Sequence, residues 1–190
     1  VRSFFADKTI TAGEGGMLLT DDAELLEEVG IYKHDGRRER GHDLIERIGY
    51  NFRMTEMQAA IGVAQLDRID EFIARKRANH AAYTERLEGV EGVQVFQFDP
   101  DTEAVPHRTL IFVSEAARLI EHMTSKGIGA RTTFMPMHSQ PCYQTGETFP
   151  ATEKLHSTGV CLPSAPTLTT NQIDFICDTI RSFYASRGTA

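Results

Sequence analysis

Apolar residues along this chain switch between helical and strand spacing, and the switches divide it into elements. Leu25, Leu26, Val29 and Tyr32 recur three and four apart behind Asp21-Asp22, a pair suited to capping, which predicts a helix. This helix is expected to pack on the sheet that carries the preceding glycine-rich stretch. Thr55-Glu56-Met57-Gln58 has the spacing of a capping box and opens an apolar series through Ala60, Ile61, Ala64, Ile69 and Phe72. The series predicts one long helix that runs on to Leu87, its small-residue first half buried on more than one side. Arg75, Lys76 and Arg77 fall on its outer, solvated face, and Gly89 and Gly92 end it.

From Val93 the pattern changes. Residues 93–96, 109–113 and 128–134 read as strands, and 114–126 reads as a helix with Ala117, Leu119, Ile120 and Met123 apolar and Gly127 closing it. Residues 149–155 read as a short helix, and prolines keep 160–166 extended. Thr169-Thr170-Asn171-Gln172 is a second capping box, before Ile173, Ile176, Ile180 and Phe183 at helical spacing. Strands alternating with helices predict an α/β architecture. A boundary is expected at the end of the long helix, giving domains over residues 1–88 and 89–190.

Composition narrows the class without naming a chemistry. At 190 residues, 41% hydrophobic and 25% charged, the chain has the make-up of an ordinary globular protein. A formal net charge of −7 argues against general affinity for nucleic acid or anionic membranes. Cys142, Cys161 and Cys177 form neither a C-x-x-C pair nor a zinc pattern, so free thiols in a reducing compartment are expected. No apolar run is long enough to cross a membrane, and a cytoplasmic location is expected.

The chemistry concentrates near the start. Lys8 follows Phe4-Phe5 and precedes Thr9-Ile10-Thr11, and Gly13, Gly15 and Gly16 allow a sharp turn into Met17-Leu18-Leu19. A lysine held beside apolar walls loses its proton more readily and can form a Schiff base with a carbonyl cofactor, whereas most lysines near glycine turns are simply solvated. The glycines fit neither a P-loop nor a G-x-G-x-x-G dinucleotide turn.

The run Ser3-Phe4-Phe5-Ala6-Asp7-Lys8-Thr9-Ile10-Thr11-Ala12-Gly13-Glu14-Gly15-Gly16 closely resembles the cofactor-lysine segment of the DegT/DnrJ/EryC1/StrS sugar aminotransferases, most nearly their perosamine synthetase branch. The segment Gly49-Tyr50-Asn51-Phe52-Arg53-Met54-Thr55, with the helix start after it, is similar to that family's second signature. The resemblance covers nearly the whole chain, although residues 104–113 lack the family's tryptophan-containing strand. It implies a fold-type I aminotransferase, with the end of the large cofactor domain followed by a small C-terminal α/β domain. Lys8 would hold pyridoxal 5'-phosphate (PLP), Ser3 would hydrogen-bond its phosphate, and Asn51 would reach the phosphate of the neighbouring subunit, so a homodimer with shared sites is implied. The histidine that replaces this lysine in related sugar dehydratases is absent. Family members carry a comparable length ahead of the lysine, so this chain is expected to be the C-terminal half.

The implied reaction moves an amino group from L-glutamate to a nucleotide-linked 4-keto-6-deoxy sugar, with GDP-4-keto-6-deoxymannose as acceptor, and a surface glycan such as O-antigen as destination. Residues 33–43 are polar and basic, which reads either as a solvated loop or, through the resemblance, as substrate contacts from His34, Arg37 and Arg38. His138 in Met135-Pro136-Met137-His138 reads either as a structural histidine or as a substrate contact like that of the family's Pro-Leu-His segment. The competing reading of the whole chain is a split or truncated half that folds or dimerises without turnover, its N-terminal half supplied as a separate polypeptide. A nucleotide-binding module built on the basic loop has only charge behind it.

Overall fold

A computed structural model describes residues 1–39, 41–144 and 146–185. Arg40, part of the basic loop read above, lies outside the described residues. The chain divides into two compact units, Val1–Asp70 and Glu71–Ala190.

In the first unit, β1 (Arg2–Ser3) and β2 (Gly16–Met17) form an antiparallel hairpin with Arg2 opposite Met17 and Ser3 opposite Gly16. Helix α1 (Ala23–Tyr32) starts where Asp22 Oδ1 accepts from the backbone N–H groups of Glu24 and Leu25, at 2.9 and 3.1 Å. These are two of the four donors a helix start leaves unpaired. Helix α2 (Glu56–Leu66) opens on a complete capping box between Thr55 and Gln58.

Two expectations for this unit are corrected. The single long helix is two, because Asp67 and Arg68 turn between α2 and α3 (Ile69–Leu87), with Arg68 N–H bonded to the Gln65 carbonyl. That i to i+3 bond tightens the last turn of α2 and ends its ladder. The apolar faces are also uncovered. α2 buries no residue, α1 buries only Ile31, and Leu26, Met57 and Val63 are each at least 60% exposed. A two-stranded ribbon is too small to cover two helices.

In the second unit β3 (Val93–Val95), β4 (Thr109–Val113), β5 (Arg131–Thr132) and β6 (Gly159–Leu162) form one sheet in the order β3-β4-β6-β5, every pair antiparallel. The strand expected over residues 128–134 thus shrinks to two residues. β4 alternates, with Thr109, Ile111 and Val113 buried, while all four residues of the central β6 are buried. Helices α4 (Ala116–Ser125), α5 (Pro150–Thr158) and α6 (Thr170–Ala185) complete the unit. The core joins Tyr83 and Leu87 of α3 to Leu119 and Met123 of α4, and to Ile176, Cys177 and Ile180 of α6.

α3 departs from the simple amphipathic reading. Lys76, expected on a solvated face, is 5% exposed, and its ammonium donates to the carbonyls of His107 and Ser164 at 3.1 and 3.4 Å. Asn79 donates to the Ala165 carbonyl at 3.0 Å and Tyr83 to the Pro163 carbonyl at 2.9 Å. Spaced i, i+3 and i+7, these three side chains lie on one helix face and capture the backbone leaving β6.

Candidate functional site

The lysine sits on the hairpin connection. Phe4 pins both ends of that loop, its N–H donating to the Gly15 carbonyl at 2.9 Å and its carbonyl accepting from Ala12 N–H at 3.0 Å. Thr11 locks the bend, its hydroxyl donating to the Phe4 carbonyl while accepting from Gly13 N–H at 2.9 Å. Gly13 (φ 83°) and Gly15 (φ 129°) take the left-handed backbone that the glycine pattern called for. Gly16 instead pairs in β2 opposite Ser3. At Gly15 a methyl group would meet Met54 Cε at 2.7 Å, so glycine also permits a close approach there.

Lys8 closes a turn of this loop through its N–H to the Phe5 carbonyl. Its side chain is 40% exposed and its charged neighbour is Asp7, 3.9 Å away. The apolar enclosure expected around Lys8 is therefore not formed by these residues, because Phe5 is itself 46% exposed. Ser3 is exposed at the end of β1, with its Oγ accepting from Phe5 N–H at a long 3.4 Å. An accessible primary amine, with a hydroxyl five residues upstream, fits a carbonyl cofactor bearing an anionic group.

A second cluster gathers around Asn51. Tyr50 N–H donates to the Tyr32 carbonyl, Asp35 N–H to Tyr50, and Phe52 N–H to Lys33, pairing residues 50–52 antiparallel with 32–35 and setting Asn51 opposite His34. The chain reverses just after at His34-Asp35-Gly36-Arg37, where Arg37 N–H reaches the His34 carbonyl at 3.0 Å. Asp35 (φ 57°) and Gly36 (φ 77°) both adopt left-handed backbone, the pattern of a type I′ turn. The Asp-Gly dipeptide is a sequence signal for this turn, and the solvated-loop reading overlooked it.

Asn51 lines a concavity of about 910 Å³ together with Arg2, Lys33, Arg53, Phe52 and Met54, among others. Glu14 is the one acidic side chain on its wall among the described residues, against the cations of Arg2 and Lys33, while the charge of Arg53 is paired with Asp35. The wall therefore favours an anion. His34 lines a smaller recess of about 270 Å³ with Lys33 and Arg53. Neither Ser3 nor Lys8 lies on either wall. The structure thus brings Asn51 and His34 together and sets Phe4, Glu14 and Gly15 of the hairpin on the same wall as Asn51, while Ser3 and Lys8 themselves lie off it.

The arginines of the loop separate. Arg38 is held bidentate by Glu46, with Nε–Oε1 and Nη2–Oε2 both at 3.0 Å, and it also pairs with Glu27 of α1. The hydrogen bond from Arg38 holds the Glu46 carboxyl below its ordinary range. Arg38 thus straps the loop to α1. Arg37 is half-buried, and its Nε is shielded from solvent without a hydrogen-bond acceptor among the described residues. Of the two, Arg37 keeps an uncommitted donor.

His138, in the second unit, sits on a 3₁₀ turn (Met137–Ser139). Its Nε2 lies 3.1 Å from Glu153 Oε1 of α5, and its ring packs 4.9 Å from that of Phe149. Glu153 also accepts from Phe149 N–H at 3.1 Å. These partners favour the structural reading of His138.

Comparison with known proteins bears on the same residues. Residues 1–181 match the DegT/DnrJ/EryC1/StrS aminotransferase family. The GDP-perosamine synthase of Escherichia coli O157:H7 is 38% identical over 192 residues, covering 97% of this chain and 51% of that protein. The GDP-perosamine synthase of Vibrio cholerae is 33% identical, covering 96% and 52%. Among solved structures, S. venezuelae DesV in complex with a ketimine intermediate superposes with a TM-score of 0.84 at 30% identity, over 96% of this chain and 50% of that one. The aminotransferase TlmJ from Streptoalloteichus hindustanus shares the fold with a TM-score of 0.91 at 23% identity. The chain spans about half the length of the curated relatives it matches. On the match of residues 1–181, the chain is a member of the DegT/DnrJ/EryC1/StrS aminotransferase family.

Proposed function

We propose that this chain supplies the lysine-bearing half of a PLP-dependent sugar-nucleotide aminotransferase that moves an amino group from L-glutamate to a nucleotide-linked 4-keto-6-deoxy sugar. The observation that carries the reading is Lys8, an accessible amine on a loop fixed by Phe4, Thr11 and two left-handed glycines, within a segment matched to the family. GDP-4-keto-6-deoxymannose is the proposed acceptor and GDP-perosamine the product. Two relatives named GDP-perosamine synthase, at 38% and 33% identity, support that choice.

PLP, when bound, supplies an electrophilic carbonyl and an electron sink. Lys8 would hold it through the side-chain amine, and the same amine, when free, would take and return a proton as general base and acid. The Ser3 hydroxyl donates to the phosphate. Asn51 serves the site of a second copy, which accounts for its standing on a wall that neither Ser3 nor Lys8 lines. His34 and Arg37 contact the nucleotide sugar from the turn beside it, with the Arg37 guanidinium serving the diphosphate. Arg38 contributes by holding that turn against α1, and His138 remains a substrate contact only where its bond to Glu153 opens. We place the enzyme in the cytoplasm as a homodimer, making an amino sugar for a surface glycan such as O-antigen. Among the described residues no helix is long and apolar enough to cross a membrane.

A second reading has its own support. Leu44, Ile48, Phe52 and Met57 are each at least 71% exposed, a surface that calls for further protein. On that reading these 190 residues fold or dimerise without turnover until a separate N-terminal half covers them.

Titration with PLP, followed by visible absorption and borohydride trapping, tests both. A trapped adduct in the wild type that Lys8→Ala abolishes supports the first reading, and amino transfer from L-glutamate to GDP-4-keto-6-deoxymannose completes it. No adduct from the chain alone, but one after addition of the N-terminal half of a relative, supports the second. No adduct under either condition sinks the aminotransferase reading.

A further inference from the structure

Arg53 contacts Asn51 in a way that limits what the amide can do. Its Nε donates to Asn51 Oδ1 at 2.9 Å, while Nη2 lies 3.7 Å from Asp35 Oδ2. A guanidinium has donors and no acceptor, so only the carbonyl oxygen of an asparagine can face it. The Asn51 NH₂ group is thereby turned the other way, and among the described residues no side-chain or backbone oxygen accepts from it. Asp35 takes the first left-handed position of the turn just after His34, the residue opposite Asn51, and this backbone brings its carboxylate to Arg53. Asp35, Arg53 and Asn51 thus form a short line of fixed polarity, from carboxylate through guanidinium to an outward-facing amide donor. The line ends on a wall that also carries Arg2 and Lys33.

We infer that Arg53 is a positioning residue: held by Asp35, it orients the Asn51 amide so that its NH₂ group donates to a phosphate oxygen. The inference rests on the reading of Asn51 as a phosphate contact. Without Arg53 the amide rotates freely and presents oxygen, which repels an anion, as readily as nitrogen. The loss falls on phosphate recognition and passes through Asn51 alone.

The test titrates the chain with inorganic phosphate and follows the Asn51 side-chain NH₂ resonances by ¹⁵N-edited NMR, assigned with Asn51→Ala. In wild type these resonances move and saturate. Arg53→Ala weakens phosphate about twofold, because the amide then presents nitrogen only half the time, whereas Asn51→Ala weakens it about tenfold by removing one hydrogen bond to a charged group. A global phosphate Kd, from backbone amides around the concavity, is compared across Asn51→Ala, Arg53→Ala and the double variant. The double variant binds no more weakly than Asn51→Ala, because the two residues act as one. Asp35→Asn keeps the left-handed turn while removing the carboxylate charge beside Arg53, and gives a smaller loss than Arg53→Ala with unchanged backbone shifts. Multiplying losses in the double variant would mean that Arg53 meets the phosphate directly, overturning the inference. It is equally overturned by an unchanged affinity in Arg53→Ala or by no response of Asn51 in wild type. Phosphate coupling without a Lys8 adduct sinks only the aminotransferase reading. A Lys8 adduct without coupling sinks only the role given to Arg53.

Discussion

Gly36 and Gly49 face each other across the paired segments 32–35 and 50–52 with room for a side chain on neither. A methyl on Gly49 would overlap the backbone of Gly36, and one on Gly36 would overlap the carbonyl of Arg47. This contact closes the hairpin-like junction that sets Asn51 opposite His34. Gly36 also needs its left-handed backbone, whereas Gly49 needs only the space. Gly49→Ala is therefore expected to destabilise the first unit by about 1–3 kcal/mol, the usual range for overpacking. Urea unfolding together with backbone amide shifts of residues 50–53 checks it, and wild-type shifts in the variant would show that the close approach is not required.

Arg37 and Arg38 should behave differently on truncation. Arg38→Ala removes a bidentate bond to Glu46 and the strap to Glu27, so it loosens the loop and raises its proteolysis. Arg37→Ala removes an uncommitted donor and leaves the loop ordered. Its effect is expected on nucleotide-sugar affinity, read by calorimetry with a GDP-sugar against protease sensitivity.

Subunit sharing predicts complementation. Lys8→Ala and Asn51→Ala homodimers should each be defective, one in adduct formation and the other in PLP affinity. After mixing and exchange, half the dimers are mixed and carry one intact site of two, so about a quarter of the sites recover. Trapped PLP per chain at limiting cofactor counts them. No recovery would place Lys8 and Asn51 in the same subunit's site.

In the second unit the bond from Tyr83 to the Pro163 carbonyl should be measurable. Tyr83 is fully buried, and burial pushes its phenol well above the ordinary range, so it remains a donor. Tyr83→Phe should cost about 1–2 kcal/mol, since the carbonyl loses its partner. A thermal midpoint equal to wild type would mean that water replaces the hydroxyl.

The same unit should lose stability at both ends of the pH scale. Burial lowers the pKa of His80 from its ordinary 6.5, so the unfolded state takes up the proton first and stability falls as pH drops below that value. Burial raises the Cys177 thiol to about 11 from 9.0, so stability is intact below pH 9 and is lost as pH rises through that interval. His80→Asn should flatten the acid limb and Cys177→Ala the alkaline one, measured by urea midpoints between pH 5 and 10.5.

What the sequence determined by itself was local. The capping boxes at Thr55 and Thr169 span four residues each, and both form, with Thr169 N–H meeting Gln172 Oε1 at 2.9 Å. The left-handed backbone of Gly13 and Gly15 follows from residue type, and the Lys8 segment carried the family on its own letters. Periodicity located most helices and the strand at Thr109–Val113, because each element's pattern depends on its own spacing.

Only the tertiary structure decided the partners. Arg38 is consumed by Glu46 and Glu27, His138 by Glu153, and Lys76 leaves its charged stretch to hold Ser164, 88 residues away. Asn51 gained its orientation from Arg53 and Asp35, on two paired segments. Hydrophobic pattern fixes which face of an element turns inward, but a polar side chain is committed by whichever donor or acceptor the fold delivers within about 3 Å. That delivery depends on chain reversals at Gly36 and on a helix break at Asp67. Periodicity carries no trace of either, because the apolar spacing runs through the break unchanged.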